Sequence, residues 1–340
     1  MTVTMKDIAR GLGVSVVTVS KVLRNHSDVG PETRRRVQQR IKELNYRPNA
    51  TARALVTGKT NLIGLIVPDL VHPFFSQIAK AISVSLRAQQ YGLIISSSED
   101  DAELERREID QMLGRHVDAI ILASTQTTAE NAARIQDANV PCVLLDRKVE
   151  AASAHFVGTN DILAGSLATN HLLDVGCRII AHLAGSDIST SLDRQKGYLT
   201  ALAHEGIVLA SDYVVKCTSG DGFGEISGYN SMKQLLTANP TPDGVFCFND
   251  SVAMGAMRAI LDQGLRIPDD IAIVGCGNFP YDDLLRVPLS SIDQDSDALG
   301  NRAAKLAVSI VKKGKDVVPL KPILLDSKLI IRESSAKIKK

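Results

Sequence analysis

The sequence predicts a small all-α helix-turn-helix headpiece followed by a two-lobed α/β body, with parallel sheets and helices on both faces. Three observations carry this expectation. Residues Thr4 to Leu23 hold two short amphipathic helices joined at Gly13-Val14-Ser15. Residues 1–60 carry 12 Lys and Arg against 4 Asp and Glu, while the rest of the chain carries 27 against 34, so the total of +1 hides a basic head on an acidic body. From Asn61 onward, short apolar runs alternate with amphipathic stretches, the pattern of parallel sheets flanked by helices.

In the first helix Met5, Ile8, Ala9 and Leu12 recur at i, i+3, i+4 and i+7, giving one apolar face. Thr4 is its expected cap, with Asp7 as the acidic member of a capping box. Ala9 is small enough for a second helix to cross closely, and Gly13 suits a sharp helix end. Ser15 is placed to cap the second helix, whose inward positions are Val19, Val22 and Leu23. Val16, Val17, Thr18, Ser20, Lys21 and Arg24 then face outward. In such a motif the start of the second helix enters the DNA major groove, so these are the candidate readers of bases and phosphates. The valines would pack on thymine methyl groups. A helical hairpin inside a larger core is the competing reading, and two adjacent exposed valines among Thr, Ser, Lys and Arg fit it poorly.

A third helix is expected from Pro31 to about Asn45, with Val37, Ile41 and Leu44 as its apolar stripe. Thr33 and Arg34 at its start, and Tyr46 and Arg47 after its end, are candidate phosphate contacts; Thr4 and Asn49 complete the candidate DNA-binding set. The run Arg34-Arg35-Arg36 alone would be equally at home on a solvated surface. Residues 1–47 are therefore read as the DNA-binding headpiece and 48–60 as a hinge helix and linker. Asn49 to Val56 is too short to be a stable helix in isolation, and orders only when docked. Leu55, an aliphatic residue in this basic segment, has the chemistry of a minor-groove wedge, or is a stray Leu in an ordinary linker.

A length of 340 residues points to about two domains. Eight strands are expected, at Ile63 to Val67, Leu93 to Ser96, Ala119 to Leu122, Cys142 to Leu145, Ile179 to Leu183, Tyr213 to Val215, Val245 to Phe248 and Ile271 to Val274. Helices are expected to start near Pro73, Asp101, Thr128, Asp161, Ser191, Glu225, Asp250 and Leu299. So many strands are better divided between two lobes than built into one sheet. Parallel sheets hold ligands at the carboxyl ends of their strands, which here present Pro68-Asp69, Ser96 to Ser98, Asp146-Arg147, Gly185 to Asp187, Asn249-Asp250 and Gly275 to Gly277.

DIARGLGVSVVTVSKVL and TRRRVQQRIKELNYRPNATARAL, then IGLIVPDLVHPFF, DRQKGYLTAL, FCFNDSVAMGAMRAILDQGLRIPDDIAIVG and LIIRESSA, span almost the whole chain. In these segments the chain resembles the lactose-repressor/galactose-repressor (LacI/GalR) family of bacterial transcription regulators. The resemblance implies a periplasmic-binding-protein-like body over 61–333, whose lobes are joined by crossovers near Asn160, Ile292 and Leu325. The N-lobe would comprise about 61–160 and 293–324, the C-lobe about 161–291 and 325–333, with 334–340 a flexible tail. It implies a homodimer that reads a pseudo-palindromic double-stranded operator, with Leu55 from each protomer prying open the central step. Its interface would use the helices beginning near Pro73 and Asp250. A small-molecule effector, a sugar or related metabolite, would bind between the lobes.

Asp146, Arg194 and Asn249 match effector-contacting positions of the family, as do Phe74, Phe75 and Phe223. Each has a plain structural alternative: a turn cap for Asp146, pairing with Asp193 or a facing helix for Arg194, core packing for the Phe residues. The chain departs from the family at VGCGN, where Cys276 and Gly277 replace an aromatic residue and an Asp that accepts ligand hydroxyls. Loss of that acceptor puts an ordinary monosaccharide in doubt. Asn278, Asp187 or Asp193 as substitutes, a different effector, or no effector all stay open.

Enzymatic signatures are weak. Gly220-Asp221-Gly222-Phe223-Gly224 is only a partial glycine loop, since Glu225 stands where a dinucleotide fingerprint needs its third Gly. The seven His form no metal-binding pair, and His182 lies in an apolar strand. Five scattered Cys suit buried thiols in a reducing compartment. No metal or cofactor is expected. Without an apolar leader or a membrane-length run, a cytoplasmic protein is expected. The expectation is a dimeric, ligand-modulated repressor. Its competitors are a regulator with a dead pocket and, further off, an enzyme built on the two-lobed body.

Overall fold

The computed structural model describes residues 3–336 except 24, 48–53, 55–57, 151, 153, 218–223, 239 and 315–319. The expectations for Arg24, Asn49, Leu55 and Phe223, and for Lys337 to Lys340, lie outside the described residues. The chain divides into two compact units, Met1–Thr60 and Asn61–Lys340.

The first unit holds α1 (Met5–Leu12), α2 (Val16–Leu23) and α3 (Pro31–Glu43). Thr4 and Asp7 form a reciprocal capping box: the Thr4 N–H donates to Asp7 Oδ2 at 3.0 Å and the Asp7 N–H to Thr4 Oγ1 at 3.4 Å. Gly13 ends α1 at φ 67°, a left-handed conformation in which a side chain is strained. Ser15 Oγ accepts from the Thr18 N–H at 3.0 Å and caps α2. Ile8, Ala9, Val19, Val22, Val37 and Tyr46 form the buried mini-core.

Among its described residues the second unit has twelve strands in two six-stranded sheets. The first contains β1 (Leu62–Val67), β2 (Gly92–Ser97), β3 (Ala119–Leu122), β4 (Cys142–Leu145), β5 (His155–Thr159) and β11 (Ile323–Leu325), in the order β11-β5-β4-β3-β1-β2 and wholly parallel. The second contains β6 (Ile180–Ala184), β7 (Val214–Lys216), β8 (Gly244–Cys247), β9 (Ala272–Cys276), β10 (Ser290–Asp293) and β12 (Lys328–Ile330), in the order β12-β10-β9-β8-β6-β7. Only β12 runs antiparallel.

Alternation along the strands feeds a core on each face. Ile63, Leu65 and Val67 pack under α4 (Pro73–Ala88) and α11 (Ser296–Lys313), while Ile66 faces α5 (Ala102–Gly114) and α6 (Glu130–Asp137). In the second lobe Ala181 and Leu183 meet α9 (Glu225–Leu235) and α10 (Asp250–Asp262). Ile180 packs instead with α7 (Asp161–Asp174) and α8 (Ser189–His204). Both faces are covered, which is why the central strands read as continuous apolar runs.

The chain passes between lobes after β5, after β10 and after β11. The three passages lie side by side: the Asn160 N–H donates to the Leu325 carbonyl at 2.9 Å, and Gln294 Nε2 to Thr159 Oγ1 at 3.1 Å. Four strands were not foreseen from periodicity. β5 contains His and Gly, β10 begins Ser-Ser, and β11 and β12 are three residues each, too short to show a period. The expected flexible tail also begins too early. Ser334 and Ser335 are fully buried, Ser334 Oγ donating to the Ile273 carbonyl at 2.7 Å, because this segment covers the end of the second sheet.

Candidate nucleic-acid interface and ligand cleft

In the headpiece, Val16 and Val17 are 37% and 61% exposed at the start of α2. Thr18, Ser20 and Lys21 are half-buried on the same short helix. Lys21 pairs with Asp28, whose carboxyl this contact holds below the usual range. Arg34 Nη1 donates to Asn25 Oδ1 at 2.6 Å and Nη2 donates to the His26 carbonyl, so this arginine closes the α2–α3 turn. Arg36, not singled out in the sequence, donates from Nη2 to the Leu12 carbonyl at 3.2 Å and ties α3 to the end of α1. Thr33 is half-buried and Arg47 exposed. Tyr46 differs from expectation: its ring is in the mini-core, because the turn after α3 folds it beneath α1 and α2. Thr4 is committed to the cap of α1, where its hydroxyl donates to Asp7 Oδ2 at 2.6 Å.

Between the lobes lies a cavity of about 150 Å³, lined among others by Phe74, Phe75, Asp146, Arg194 and Asn249. These are five of the six positions singled out for ligand contact. The two Phe rings serve twice, packing in the N-lobe core and edging against each other at 5.1 Å beside the cavity.

Arg194 is placed by glycine. A Cβ on Gly165 of α7 would stand 2.1 Å from the Arg194 carbonyl oxygen, and one on Gly197 of α8 would stand 2.1 Å from the Ile162 carbonyl oxygen. The two helices cross this closely only because both positions lack side chains. Arg194 Nε then donates to Asp161 Oδ1 at 2.8 Å and Nη1 to the Phe248 carbonyl at 2.7 Å. Its guanidinium lies 4.9 Å from the Phe248 ring centre. Of the two alternative partners expected for Arg194, the facing helix therefore supplies one in Asp161, while Asp193 bonds Lys148 at 2.6 Å across the lobes.

Asp146 follows β4 at φ 64° and is 6% exposed. Its Oδ1 has no hydrogen-bond partner among the described residues. Burial, assisted by the nearby Asp161 charge, pushes its pKa up to about 7, with Arg194 and Arg147 pulling the other way. Asn249 caps α10 through Oδ1, which accepts from the Val252 N–H at 2.8 Å, and its Nδ2 lies 3.5 Å from His72 Nε2. Burial lowers His72 to about 4, so the ring is neutral at pH 7.

At the VGCGN departure, Gly277 has φ 142°, and a Cβ there would stand 2.6 Å from the Phe279 ring and 2.9 Å from Asp250 Oδ2. An acidic side chain has no room in this backbone. None of the three considered substitutes supplies the missing acceptor at the cavity. Asn278 Oδ1 accepts from Arg332, Asp193 is held by Lys148, and Asp187 bonds Lys216 at 2.6 Å. Sequence reading missed His72, Phe248 and Gln294 as cavity-lining residues. Phe248 was within reach, standing directly before Asn249; Gln294 was not, because β10 went unread.

Comparison with known proteins agrees on both units. Residues 4–49 match the family described as bacterial regulatory proteins, lacI family, and residues 60–323 match that of periplasmic binding proteins and the sugar binding domain of the LacI family. The ribose operon repressor of Halalkalibacterium halodurans is 32% identical over 337 residues, covering 98% of this chain and 97% of the relative. Among solved structures, a lac repressor dimer bound to operator and the anti-inducer ONPF is 28% identical with a TM-score of 0.86, covering 98% and 99% of the two chains. A LacI family regulator from Enterococcus faecium with bound ribose is 27% identical with a TM-score of 0.72, covering 82% of this chain and all of that one.

Proposed function

The chain belongs to the LacI family of bacterial regulatory proteins, and from that premise we propose a repressor that binds a pseudo-palindromic operator as a homodimer and is controlled by a neutral, hydroxyl-rich small molecule in its cleft. The observation that carries the ligand assignment is Asp146 Oδ1, a buried acceptor without a donor, opening on a cavity that also holds Arg194 and three Phe side chains. A buried polar atom left in this condition costs about 1–3 kcal/mol, which a ligand hydroxyl would recover. Charge argues in the same direction. Asp69, Asp100, Asp146 and Asp161 outnumber Arg147 and Arg194 in and around the cavity, and His72 is neutral. Anions are disfavoured there. Ribose, bound by the Enterococcus relative, has the required chemistry.

In the headpiece, Val16 and Val17 with Thr18, Ser20, Lys21 and Arg24 would read the major groove, while Thr33, Arg34 and Arg47 would lie along phosphates. Leu55 of each protomer would wedge the central base step. The dimer would bury the exposed Val84 of α4 in one lobe. In the other it would use Ile226 and Leu284 beside α10, most of whose apolar residues are spent in their own lobe's core. Effector binding would change the lobe angle and so the order of the hinge, with a coupling of about 1–3 kcal/mol. The matched relatives are regulators, no helix among the described residues is long and apolar enough to cross a membrane, and we assign cytoplasmic action without a catalytic step.

The test has two parts. Purified protein incubated with fragmented DNA of its own genome should retain fragments sharing a pseudo-palindrome; diffuse retention would count against sequence-specific control. Ribose should raise the melting temperature of the wild type and leave Asp146→Leu, which lacks the acceptor, unchanged. Stabilisation by sugar phosphates but not by neutral sugars would overturn the ligand assignment.

A further inference from the structure

We propose that Asp250 and Asp282 share one proton, and that this carboxyl pair is a pH-sensitive tie between the Gly277–Leu284 loop and the start of α10. Both side chains are fully buried. Asp250 is well supplied with donors: the Ser291 hydroxyl donates to Oδ1 at 2.6 Å and the Phe279 N–H to Oδ2 at 3.2 Å. Asp282 is poorer in donors: neither of its oxygens makes a well-formed hydrogen bond to a described N–H or O–H group, the nearby Phe279 N–H being directed to Asp250 Oδ2. Its carboxyl lies beside that of Asp250, the two residues flanking Phe279: Asp250 Oδ2 takes the Phe279 N–H, and the Asp282 N–H donates to the Phe279 carbonyl at 3.1 Å. Two carboxylates cannot bond each other, so one must carry a proton. Asp250, already accepting from two donors, is the ionised member, and Asp282 is the acid that donates to it.

Space for the pair is made by glycine. A Cβ on Gly275 would stand 2.1 Å from Asp250 Oδ1, and Gly277 is crowded by Asp250 Oδ2, so the VGCGN departure and the pair belong together. Burial raises both groups, Asp250 to about 6 and Asp282 to about 8. Among the described residues, the cation facing the pair is Arg332 of the C-terminal segment, whose guanidinium is engaged by Asp283, the Leu289 carbonyl and Asn278 Oδ1. Tyr281 on the loop, Cys247 at the end of β8 and Cys276 at the end of β9 also face the pair. Burial together with the nearby carboxylates keeps all three neutral.

The tie bears on the cleft. The loop carries Phe279, whose ring meets His72 of the other lobe edge-on at 5.3 Å, and Asn249, which approaches the same His72, directly precedes Asp250. Loss of the shared proton would set two buried carboxylates against each other and loosen this cross-lobe contact.

Because the folded state holds a proton that the unfolded chain has released, stability falls as pH rises between the ordinary Asp value and about 8, and levels off above. Full-length wild type and Asp282→Asn, whose amide donates permanently to Asp250, would be unfolded in urea at pH 6, 7, 8 and 9. The folding equilibrium of the wild type is expected to lose up to tenfold per pH unit relative to the variant, with the gap closing to a constant above pH 8. A gap independent of pH throughout would overturn the proposal. An infrared titration tests it without relying on that variant. In an Asp146→Asn background, a buried protonated carboxyl band should be present at pH 7 and vanish near pH 8; its absence at pH 7 would also overturn the proposal.

Discussion

In the headpiece, Val16 and Val17 stand exposed on a mini-core of six buried residues; in the cleft, Asp146 and Arg194 are almost wholly buried among two lobes' worth of side chains. The headpiece thus offers DNA a surface whose chemistry is complete before binding, and most of its charge is solvated. The cleft offers a ligand something unfinished: an acceptor without a donor, beside a guanidinium neutralised by Asp161. One site works by what it displays and the other by what it leaves unsatisfied. Substitutions should therefore fail differently in the two regions.

The largest effect is expected in the cleft. Arg194→Met keeps the volume but leaves Asp161 buried without its partner, and breaking a buried pair from one side costs about 3–5 kcal/mol. Urea unfolding should show a destabilised body, ribose should no longer protect it, and the isolated headpiece contacts should be untouched. Equal stability of variant and wild type would mean that Asp161 simply takes up a proton. In the headpiece the corresponding break is Ile8→Ala. Ile8 is fully buried, and its truncation costs about 2–5 kcal/mol in a core this small. Operator binding should disappear while the ribose-induced shift of the body's melting temperature survives. Loss of both responses together would show that the two units do not fold independently.

A smaller effect separates the sites by pH. Asp146 is held up to about 7 chiefly by burial, so the folded state retains its proton where the unfolded chain does not. Its share of stability is complete at acid pH and is lost as pH rises through about 7. Ligand binding has the opposite sign. A hydroxyl donating to Oδ1 favours the carboxylate, so ribose affinity should rise up to tenfold per pH unit toward pH 7 and level off above. Asp146→Asn should flatten that profile, measured by calorimetry between pH 5.5 and 8.5.

The same contrast explains what the sequence made legible. The proposed groove-reading part of the DNA-binding set is contiguous: the cap, turn and outward positions of the first two helices lie within Thr4 to Arg24 in the sequence, and local rules of helix periodicity and capping suffice to orient them. That the Tyr46 ring joins the mini-core was not legible, because its burial depends on how the chain turns back after α3, a tertiary fact. The cleft is assembled from the ends of several strands in two sheets. Asp146, Arg194 and Asn249 could be named because each follows a readable strand or matches a family position. Gln294 could not, since Ser290 to Asp293 has no apolar run to mark it as a strand. The Asp250–Asp282 contact was invisible for a related reason: nothing in sequence spacing announces that two carboxyls 32 residues apart will face each other in the interior.

The smallest effect concerns how complete the headpiece surface is before DNA arrives. Lys21 is paired with Asp28 in the free protein, and both side chains are partly exposed to solvent. A phosphate must therefore displace an aspartate that already neutralises this lysine. If Lys21 meets a phosphate, Lys21→Ala should flatten the dependence of operator affinity on salt by about one unit of slope in the double-logarithmic plot. Asp28→Asn should move affinity the other way, since it releases Lys21 and removes a negative charge near the DNA, with the slope unchanged or slightly steeper. Filter binding across a salt series distinguishes these outcomes. A Lys21→Ala variant with the wild-type slope but weaker binding would assign the residue to holding the α2–α3 turn through Asp28. The headpiece would then depend, like the cleft, on an internal pair as well as on the side chains it displays.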